Sequence, residues 1–562
     1  MRDVEFVLAL VAVSAALRVV SLRFALPYVP ALVVAGLGIA LIPGLPSARV
    51  SPDVVFLVAV PLLLFRSAES LPLRDLRREL VTIVQFAVLL VLVSIVAVAS
   101  AARSLDPAFN WAAALTLGAI LAPPDSTTAV SAAQSIRLRR PTEAILEGEG
   151  LLNYAVAFVL YRVAVTAAVS GNFSASQAGM GFIVKSVAGV ALGLAIGWLS
   201  LLAHRISAAR PALVCTMCLL TPYAAFMTAE AAHASGVLAV VTTGLYAGRK
   251  IPLVVGPRAR LWLRATWGVV RFNMVSLTFL LIGLELPRVT RGVDHAPIMF
   301  LIRASIIIAV CLVVVRVVYV LPAAYVVRNI GRRLRGEQPT RPPVRAVAFV
   351  AWAGLRGIHS LVLALSVPLA TSAGQPFPAR DQIIFITFAV IFLALVVQAP
   401  TLAPLARGFG LTRAAEDAKE EAHARLAVAE AALRLVGEPG FAEGFEAGVL
   451  RTSKEQQRQR ARRWAGREVE LSVEHEADPA HGVVAPPRAE RVDIGHRDGE
   501  ARRLQSAMLE AEHRALLALR DRDAIGDDVM RRIQRDLDLE ALLAEDNETN
   551  SEARPRDDDS SR

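Results

Sequence analysis

A lone carboxylate follows two prolines inside an apolar stretch, where the sequence reads Pro123, Pro124, Asp125. An ionisable side chain in a bilayer interior is costly, so such a residue is by default a candidate for function. Two prolines remove two backbone donors and crowd the preceding turn, so a helix here should break just before Asp125. A carboxylate at a helix break is a typical cation site of secondary transporters. Asp125 is therefore the first candidate ion-binding residue; a loop with a solvated aspartate is the alternative.

A second polar group lies at the start of the next apolar run. Glu149 and Asn153 are four residues apart, so they share one face of a helix. That face could point at the break before Asp125.

A third polar group surrounds Arg356, which stands close to Gly354 and Gly357 in an apolar run. Glycines on both sides loosen a helix, so this run is a plausible second broken helix. A buried guanidinium needs a carboxylate partner, and Glu149 is the expected one, in a structural ion pair. One broken helix in each half of the chain indicates an inverted repeat, as in secondary transporters.

The composition of the chain indicates a membrane protein. It has 562 residues, of which 55% are hydrophobic and 20% charged, and a mean hydropathy of +0.50. About 20 apolar residues cross a bilayer as a helix, and irregular backbone is excluded from lipid. We therefore predict an all-α polytopic membrane protein with about 13 transmembrane helices. The thirteen apolar runs lie near residues 4–22, 27–43, 52–66, 80–101, 111–133, 143–169, 179–203, 210–231, 233–248, 265–286, 297–327, 345–371 and 381–408.

The loop charges predict an orientation. Alternate loops carry nineteen Lys and Arg residues on one side and five on the other, and basic residues concentrate in short cytoplasmic loops. This places the N-terminus outside and the C-terminus in the cytoplasm of a cell inner (plasma) membrane. The net charge of +10 divides into +19 over residues 1–409 (35 basic, 16 acidic) and −9 over 410–562 (25 basic, 34 acidic). The basic excess is thus a topology signal, and we predict no nucleic-acid partner.

The composition changes near residue 410, which predicts a transmembrane domain over 1–409 and a cytoplasmic tail over 410–562 that is partly helical and partly disordered. Helical spacing of Leu and Ala predicts three tail helices, near 414–436, 500–521 and 525–545. Gly- and Pro-containing stretches near 437–450 and 476–499 separate them. The chain shows no catalytic pattern and no phosphate-binding glycine loop, so we expect neither enzymatic activity nor a cofactor.

Three motifs resemble those of the bacterial sodium/proton antiporters of the monovalent cation:proton antiporter superfamily, in its NhaP-like branch. The stretch from Gly118 to Asp125 resembles GAILSPTDP, Glu147 to Asn153 resembles EGESLLND, and Gly354 to Gly357 resembles GMRG. The resemblance implies a 13-helix fold with crossed broken helices and a homodimer. It also implies that ion and proton compete for one carboxylate cluster. By position, Asp125 and Asn153 match ion-binding residues, and Glu149 and Arg356 match a core ion pair.

Five positions depart from the family pattern. The family's principal carboxylate follows the Asn, and in this chain that position is Tyr154. Of the other four, Arg66 replaces a Glu and Pro124 replaces a Thr. Gly150 replaces a Ser, and His359 replaces a small residue. A phenol cannot act as a carboxylate near neutral pH.

Asp125 therefore remains as the ligand of a transported monovalent cation. Asn153, Ser126 and the freed carbonyls are neutral oxygen ligands. Glu149 or His359 could be a second protonation site, although a neutral packing role is the alternative for His359.

The leading hypothesis is a secondary transporter that exchanges Na⁺, or K⁺ or Li⁺, for protons by alternating access. Its partners would be these ions and the lipid bilayer. Two alternatives remain. One is a sensor or regulator that keeps the antiporter fold without transport. The other is an exchanger with a changed substrate, even an anion, because Arg66 replaces a carboxylate.

Overall fold

The computed structural model describes residues 2–24, 28–42, 52–71, 73–125, 138–171, 175–291, 298–334, 342–411, 414–477, 499–522 and 524–552. These stretches contain helices and connecting segments, with one isolated β-bridge between Ala370 and Pro376. The α-helices are Arg2–Phe24, Tyr28–Ala40, Pro52–Ser70, Leu73–Gln85, Val91–Leu105, Trp111–Leu121, Arg140–Ser170, Ala175–Ser207, Pro211–Ala231, Gly236–Lys250, Pro257–Arg291, Ile298–Leu334, Val344–Trp352, Ile358–Leu365, Arg380–Leu393, Ala399–Gly408, Ala414–Gly437, Pro439–Ala442, Ala447–Ala477, Gly499–Asp521 and Asp527–Glu552. The π-helical turns Phe86–Leu90 and Ala394–Gln398 join neighbouring helices into longer rods.

The all-α polytopic membrane fold is confirmed. Each of the thirteen predicted apolar runs overlaps at least one of these helices. Within the described residues, eight helices are long and apolar enough to cross a membrane. Tyr28–Ala40 and Trp111–Leu121 are shorter apolar helices. The number of thirteen crossings remains a prediction.

The first of two compact units comprises Met1–Ser207, Leu213–Val254 and Ala265–Thr412. Its main apolar core surrounds the helix Trp111–Leu121, in which Ile120 is fully buried. The helices that contribute to this core are Val91–Leu105, Arg140–Ser170, Ile298–Leu334, Ile358–Leu365 and Arg380–Leu393.

Glycines allow two pairs of helices in this unit to approach closely. A Cβ atom added at Gly118 would lie 2.5 Å from the carbonyl oxygen of Ile95. A Cβ atom added at Gly193 would lie 2.5 Å from the carbonyl oxygen of Ala239. Small residues at helix interfaces are the usual means of close packing in membranes.

The second unit comprises Ala208–Ala212, Val255–Arg264 and Arg413–Arg562. Its helices enclose an apolar core that includes Val428, Leu516 and Ile533. Three of its helices match the predicted tail helices. Two others, Pro439–Ala442 and Ala447–Ala477, were not predicted. The longer of the two shows no apolar stripe in its sequence. Its residues are mainly strong helix formers, with an ion pair between Arg467 and Glu470 one turn apart (2.6 Å).

One carboxyl group of the second unit is enclosed. Glu512 is 1% exposed and accepts a hydrogen bond of 3.1 Å from the Gln457 side chain. Its nearest cation, Arg460, lies 3.7 Å away and donates two hydrogen bonds to Glu540 instead. Burial raises the pKa of Glu512 to about 7, and the Glu540 carboxylate adds to the rise, although Arg460 opposes it.

Candidate functional site

Two interrupted helices meet at Asp125. The helix Trp111–Leu121 ends shortly before this residue, and residues 353–357 interrupt the run between Val344 and Leu365. The backbone amide of Asp125 donates a hydrogen bond of 2.7 Å to the carbonyl oxygen of Leu355. The predicted broken helices therefore cross at Asp125. The remainder of the first interrupted run, residues 126–137, lies outside the described part of the chain.

The sequence explains where the first of these helices begins and ends. The Asn110 side chain caps its start by accepting a hydrogen bond of 2.8 Å from the amide of Ala113. Pro123 and Pro124 follow the last helical residue, and neither can donate a hydrogen bond to a preceding carbonyl. The carbonyls of the last turn consequently need other partners.

Arg356 supplies one of these partners. Its guanidinium donates hydrogen bonds to the carbonyl oxygens of Leu121, at the end of one helix, and of Gly354, after the end of the other. Carbonyls at helix C-termini carry partial negative charge, so a cation between two such ends is favourable. Arg356 is 4% exposed and thus stabilises the crossing itself.

The expected ion pair between Glu149 and Arg356 is wrong. Both oxygens of Glu149 accept hydrogen bonds from Arg316, Nη1 to Oε1 at 2.6 Å and Nη2 to Oε2 at 2.7 Å. Such a two-point contact matches the planar shapes of the two groups. Arg316 thus occupies the carboxylate that Arg356 was expected to bind, and Arg356 donates hydrogen bonds to backbone carbonyls. Glu149 is 1% exposed and Arg316 is 3% exposed, so the pair is buried.

Arg316 was not among the predicted residues, although its position in the sequence indicates a buried charge. It is a lone arginine among valines in the middle of Ile298–Leu334, where an ionisable residue needs a partner. Its side chain also donates to the Val350 carbonyl at 3.2 Å. A Cβ atom added at Gly354 would lie 2.5 Å from its Cδ atom, so this glycine makes room for the arginine.

Asn153 lies one turn after Glu149 and is fully buried. Its Nδ2 atom donates a hydrogen bond of 3.3 Å to Glu149 Oε1. A carboxylate can only accept, so this contact orients the amide with its nitrogen toward Glu149. The Oδ1 atom then stays available, and it accepts no hydrogen bond from any described residue. Asn153 thus presents the neutral oxygen that its predicted role requires.

The rings of Tyr154 and His359 are in tilted contact beside Asp125. Their ring centroids are 3.8 Å apart with 32° between the planes. His359 Nδ1 lies 4.0 Å from Asp125 Oδ2, and the Tyr154 hydroxyl lies within electrostatic reach of the same carboxyl. The two substituted family positions are therefore brought together with the candidate ion-binding residue.

The other predicted residues have different surroundings. Arg66 donates to Glu69 at 2.7 Å and lies over the Trp267 ring, so a neighbouring carboxylate offsets its charge. Pro124 and Gly150 are buried. Ser126 lies outside the described residues.

Two of the buried charges have identified structural partners. Glu149 is paired with Arg316, and Arg356 contacts the ends of two helices. Asp125 is 2% exposed at the helix crossing. Among the described residues, no three His, Cys, Asp or Glu side chains form a potential metal-binding group.

Comparison with known proteins identifies one family. Residues 7–408 match the family model described as sodium/hydrogen exchanger, transmembrane. A relative named as an uncharacterized Na⁺/H⁺ exchanger, from Mycobacterium tuberculosis, is 30% identical over 91% of this chain and 90% of its own length. A sodium, potassium, lithium and rubidium/H⁺ antiporter from Bacillus pumilus is 28% identical over 71% of this chain and 60% of its own length.

Solved structures support the fold. The chain resembles the sodium proton antiporter from Methanocaldococcus jannaschii with a TM-score of 0.52 and 17% sequence identity. The match covers 72% of this chain and 99% of that structure. At this level of identity the likeness concerns the fold.

Proposed function

The chain belongs to the sodium/hydrogen exchanger family, and we propose on that premise that it exchanges a monovalent cation for protons across the membrane by alternating access. Na⁺ is the first candidate ion. K⁺ and Li⁺ are the next, in line with the name of the Bacillus pumilus relative. One observation of the structure supports the proposal above the others: a buried carboxylate, Asp125, lies where two broken helices cross.

Asp125 would bind either a proton or a cation. Protonation removes the negative charge that attracts the cation, and a bound cation opposes protonation. The two ligands therefore compete for one site, and exchange follows when the site opens alternately to the two sides of the membrane. Asn153 Oδ1, Ser126 and backbone carbonyls released at the helix break would complete the coordination as neutral ligands.

Glu149 would support this site from a distance. Its bond to Asn153 orients the amide, and its bond to Arg316 neutralises its own charge. We therefore assign Glu149 a structural role in preference to direct ion binding.

We further propose the topology and the assembly of the protein. The distribution of Lys and Arg favours an N-terminus outside and a C-terminus in the cytoplasm of the inner membrane. We propose residues 1–409 as the transport domain, residues 410–562 as a cytoplasmic tail, and a homodimer as the working unit. Reporter fusions at each terminus and the mass of the purified protein in detergent test these statements.

The test of the function is proton movement in everted membrane vesicles from cells that lack their own antiporters. Adding Na⁺, K⁺ or Li⁺ should collapse a preformed pH gradient when the wild-type protein is present. Asp125→Asn should abolish the response because it removes the carboxylate. Asp381→Asn is the matched control, because that carboxylate is 59% exposed at the start of Arg380–Leu393.

The outcomes separate the hypotheses. Exchange that survives Asp125→Asn would contradict the site assignment. A wild-type protein that responds to no cation would favour the transport-deficient sensor. If Tyr154→Asp then produced exchange, the missing second carboxylate would be the reason.

A further inference from the structure

His359 is a buried side chain whose ring nitrogens have no hydrogen-bond partner in the described part of the chain. It is 5% exposed, and neither ring nitrogen forms a hydrogen bond with any described residue. Buried polar groups are nearly always hydrogen-bonded, because the loss of water without replacement is costly. An imidazole in these surroundings is therefore a candidate to bind a ligand.

The position of the ring is fixed by its neighbours. Tyr154 packs against one face, with ring centroids 3.8 Å apart. The edge that carries Nδ1 faces Asp125, at 4.0 Å from Oδ2. If the neutral ring carries its proton on Nε2, the Nδ1 lone pair is directed toward the carboxylate side of the site.

The separation of Nδ1 and Oδ2 fits two ligands of one ion. At 4.0 Å the two atoms are too far apart for a hydrogen bond. A cation of the size of Ca²⁺ takes its ligands at about 2.3–2.6 Å, and Na⁺ has nearly the same ionic radius. Two ligands at about 2.5 Å from the ion and about 105° apart are about 4.0 Å from each other. Ligands at about 2.0 Å, as around smaller ions, would span the same gap only on opposite sides of the ion, at an angle of about 180°.

We propose that His359 is a ligand of the transported cation, with its neutral Nδ1 and the Asp125 carboxylate on two sides of the ion. The inference rests on the proposed exchange function and adds a residue to its site. A carboxylate is absent at Tyr154, and His359 supplies a donor atom in this region without adding a negative charge. The site then has one negative charge for one monovalent cation.

Two substitutions separate binding from packing. His359→Phe keeps a ring that can pack against Tyr154 but removes both nitrogens. His359→Asn loses the ring contact but keeps an oxygen that can bind a cation. If His359 is a ligand, the Phe variant should raise the KM for Na⁺ about tenfold, since even the loss of an outer-shell partner at a metal site costs about 10–100-fold in affinity. The KM of the Asn variant should stay within about threefold of the wild-type value, which is a smaller effect than the loss of one contact would cause.

The measurement uses the full-length protein in proteoliposomes, with a pH-sensitive dye inside and Na⁺ added outside. A second readout is independent of transport: Na⁺ should raise the unfolding temperature of the purified protein, and the Phe variant should need about ten times more Na⁺ for the same rise. This readout keeps the test valid if a variant is slow to transport.

Three results would count against the proposal in different ways. A Phe variant with the wild-type KM would overturn it, and so would an Asn variant impaired more strongly than the Phe variant, because packing would then be the role of His359. If the wild-type protein neither exchanges nor responds to Na⁺, the proposed function fails, and the ligand role of His359 fails with it. Normal exchange by the wild type and by His359→Phe removes the ligand role alone.

Discussion

Removing Arg316 should strongly destabilise the fold, although this residue lies far from Asp125 in the sequence. In an Arg316→Met variant, the Glu149 carboxylate would lose two hydrogen bonds and stay buried at 1% exposure. Breaking a buried pair by removing one partner costs about 3–5 kcal/mol, because a charge remains without compensation. The Val350 carbonyl would also lose the hydrogen bonds that Arg316 donates to it.

The double variant Glu149→Leu/Arg316→Met should recover much of this loss. It removes both charges together, and apolar replacements of a buried pair are often neutral or stabilising. We therefore expect strong non-additivity, at or above the upper end of the usual range of about 0.5–3 kcal/mol for residues in contact. The Asn153 amide would still lose its hydrogen bond to Glu149, so exchange should recover less than stability does.

The assay is the free energy of unfolding in mixed micelles, measured by far-ultraviolet circular dichroism during titration with a denaturing detergent. The control is the same comparison of single and double variants for Glu149→Leu and Arg356→Met. It should show a smaller coupling free energy, since Arg356 donates to backbone carbonyls. Additive effects of Glu149→Leu and Arg316→Met would refute the reasoning. So would a larger coupling of Glu149 to Arg356 than to Arg316.

Three further predictions concern other parts of the chain. Because burial raises the pKa of Glu512 from 4.5 to about 7, the folded tail binds this proton more tightly than the unfolded tail does. Its stability should be full below about pH 4.5 and fall by about 3 kcal/mol as pH rises to about 7; Glu512→Gln should abolish this fall in hydrogen–deuterium exchange of the full-length protein. Gly193→Leu should destabilise the protein by about 1–3 kcal/mol by overpacking, whereas Gly181→Leu, which has no atom within 4 Å of an added Cβ, should not change the unfolding temperature. Arg260→Ala leaves the buried carboxylate of Asp538 without its two-point partner and should make the last tail helix more sensitive to limited proteolysis.

The fold could be predicted because its determinants are local in the sequence. Apolar runs of sufficient length identify helices in lipid, and the double proline before Asp125 marks a helix end that the structure places at Leu121. The apolar pattern of the sequence did not predict the tail helix Ala447–Ala477. It is stabilised by helix propensity and by ion pairs one turn apart, and neither leaves an apolar pattern.

The candidate site was predicted only in part, because its pairings are tertiary. Hydropathy shows that a buried arginine needs a partner, but it does not show which of several buried groups lies within reach. Arg316 and Glu149 are 167 residues apart in the chain, and their bond depends on the room left by Gly354. The ring contact between Tyr154 and His359 joins two residues that appear in the sequence as unrelated departures from a family pattern.

The loss of the usual carboxylate at Tyr154 has a consequence for the charge of the whole site. Two other buried charges near the crossing have partners within the protein: Glu149 has Arg316, and Arg356 has two helix ends. In the exchange proposed above, Asp125 would balance either one proton or one monovalent cation. A neutral imidazole at His359 would strengthen binding of the cation without changing this balance. The proposed site would therefore alternate between two ligands of equal charge, which is the requirement for exchange by a single carboxylate.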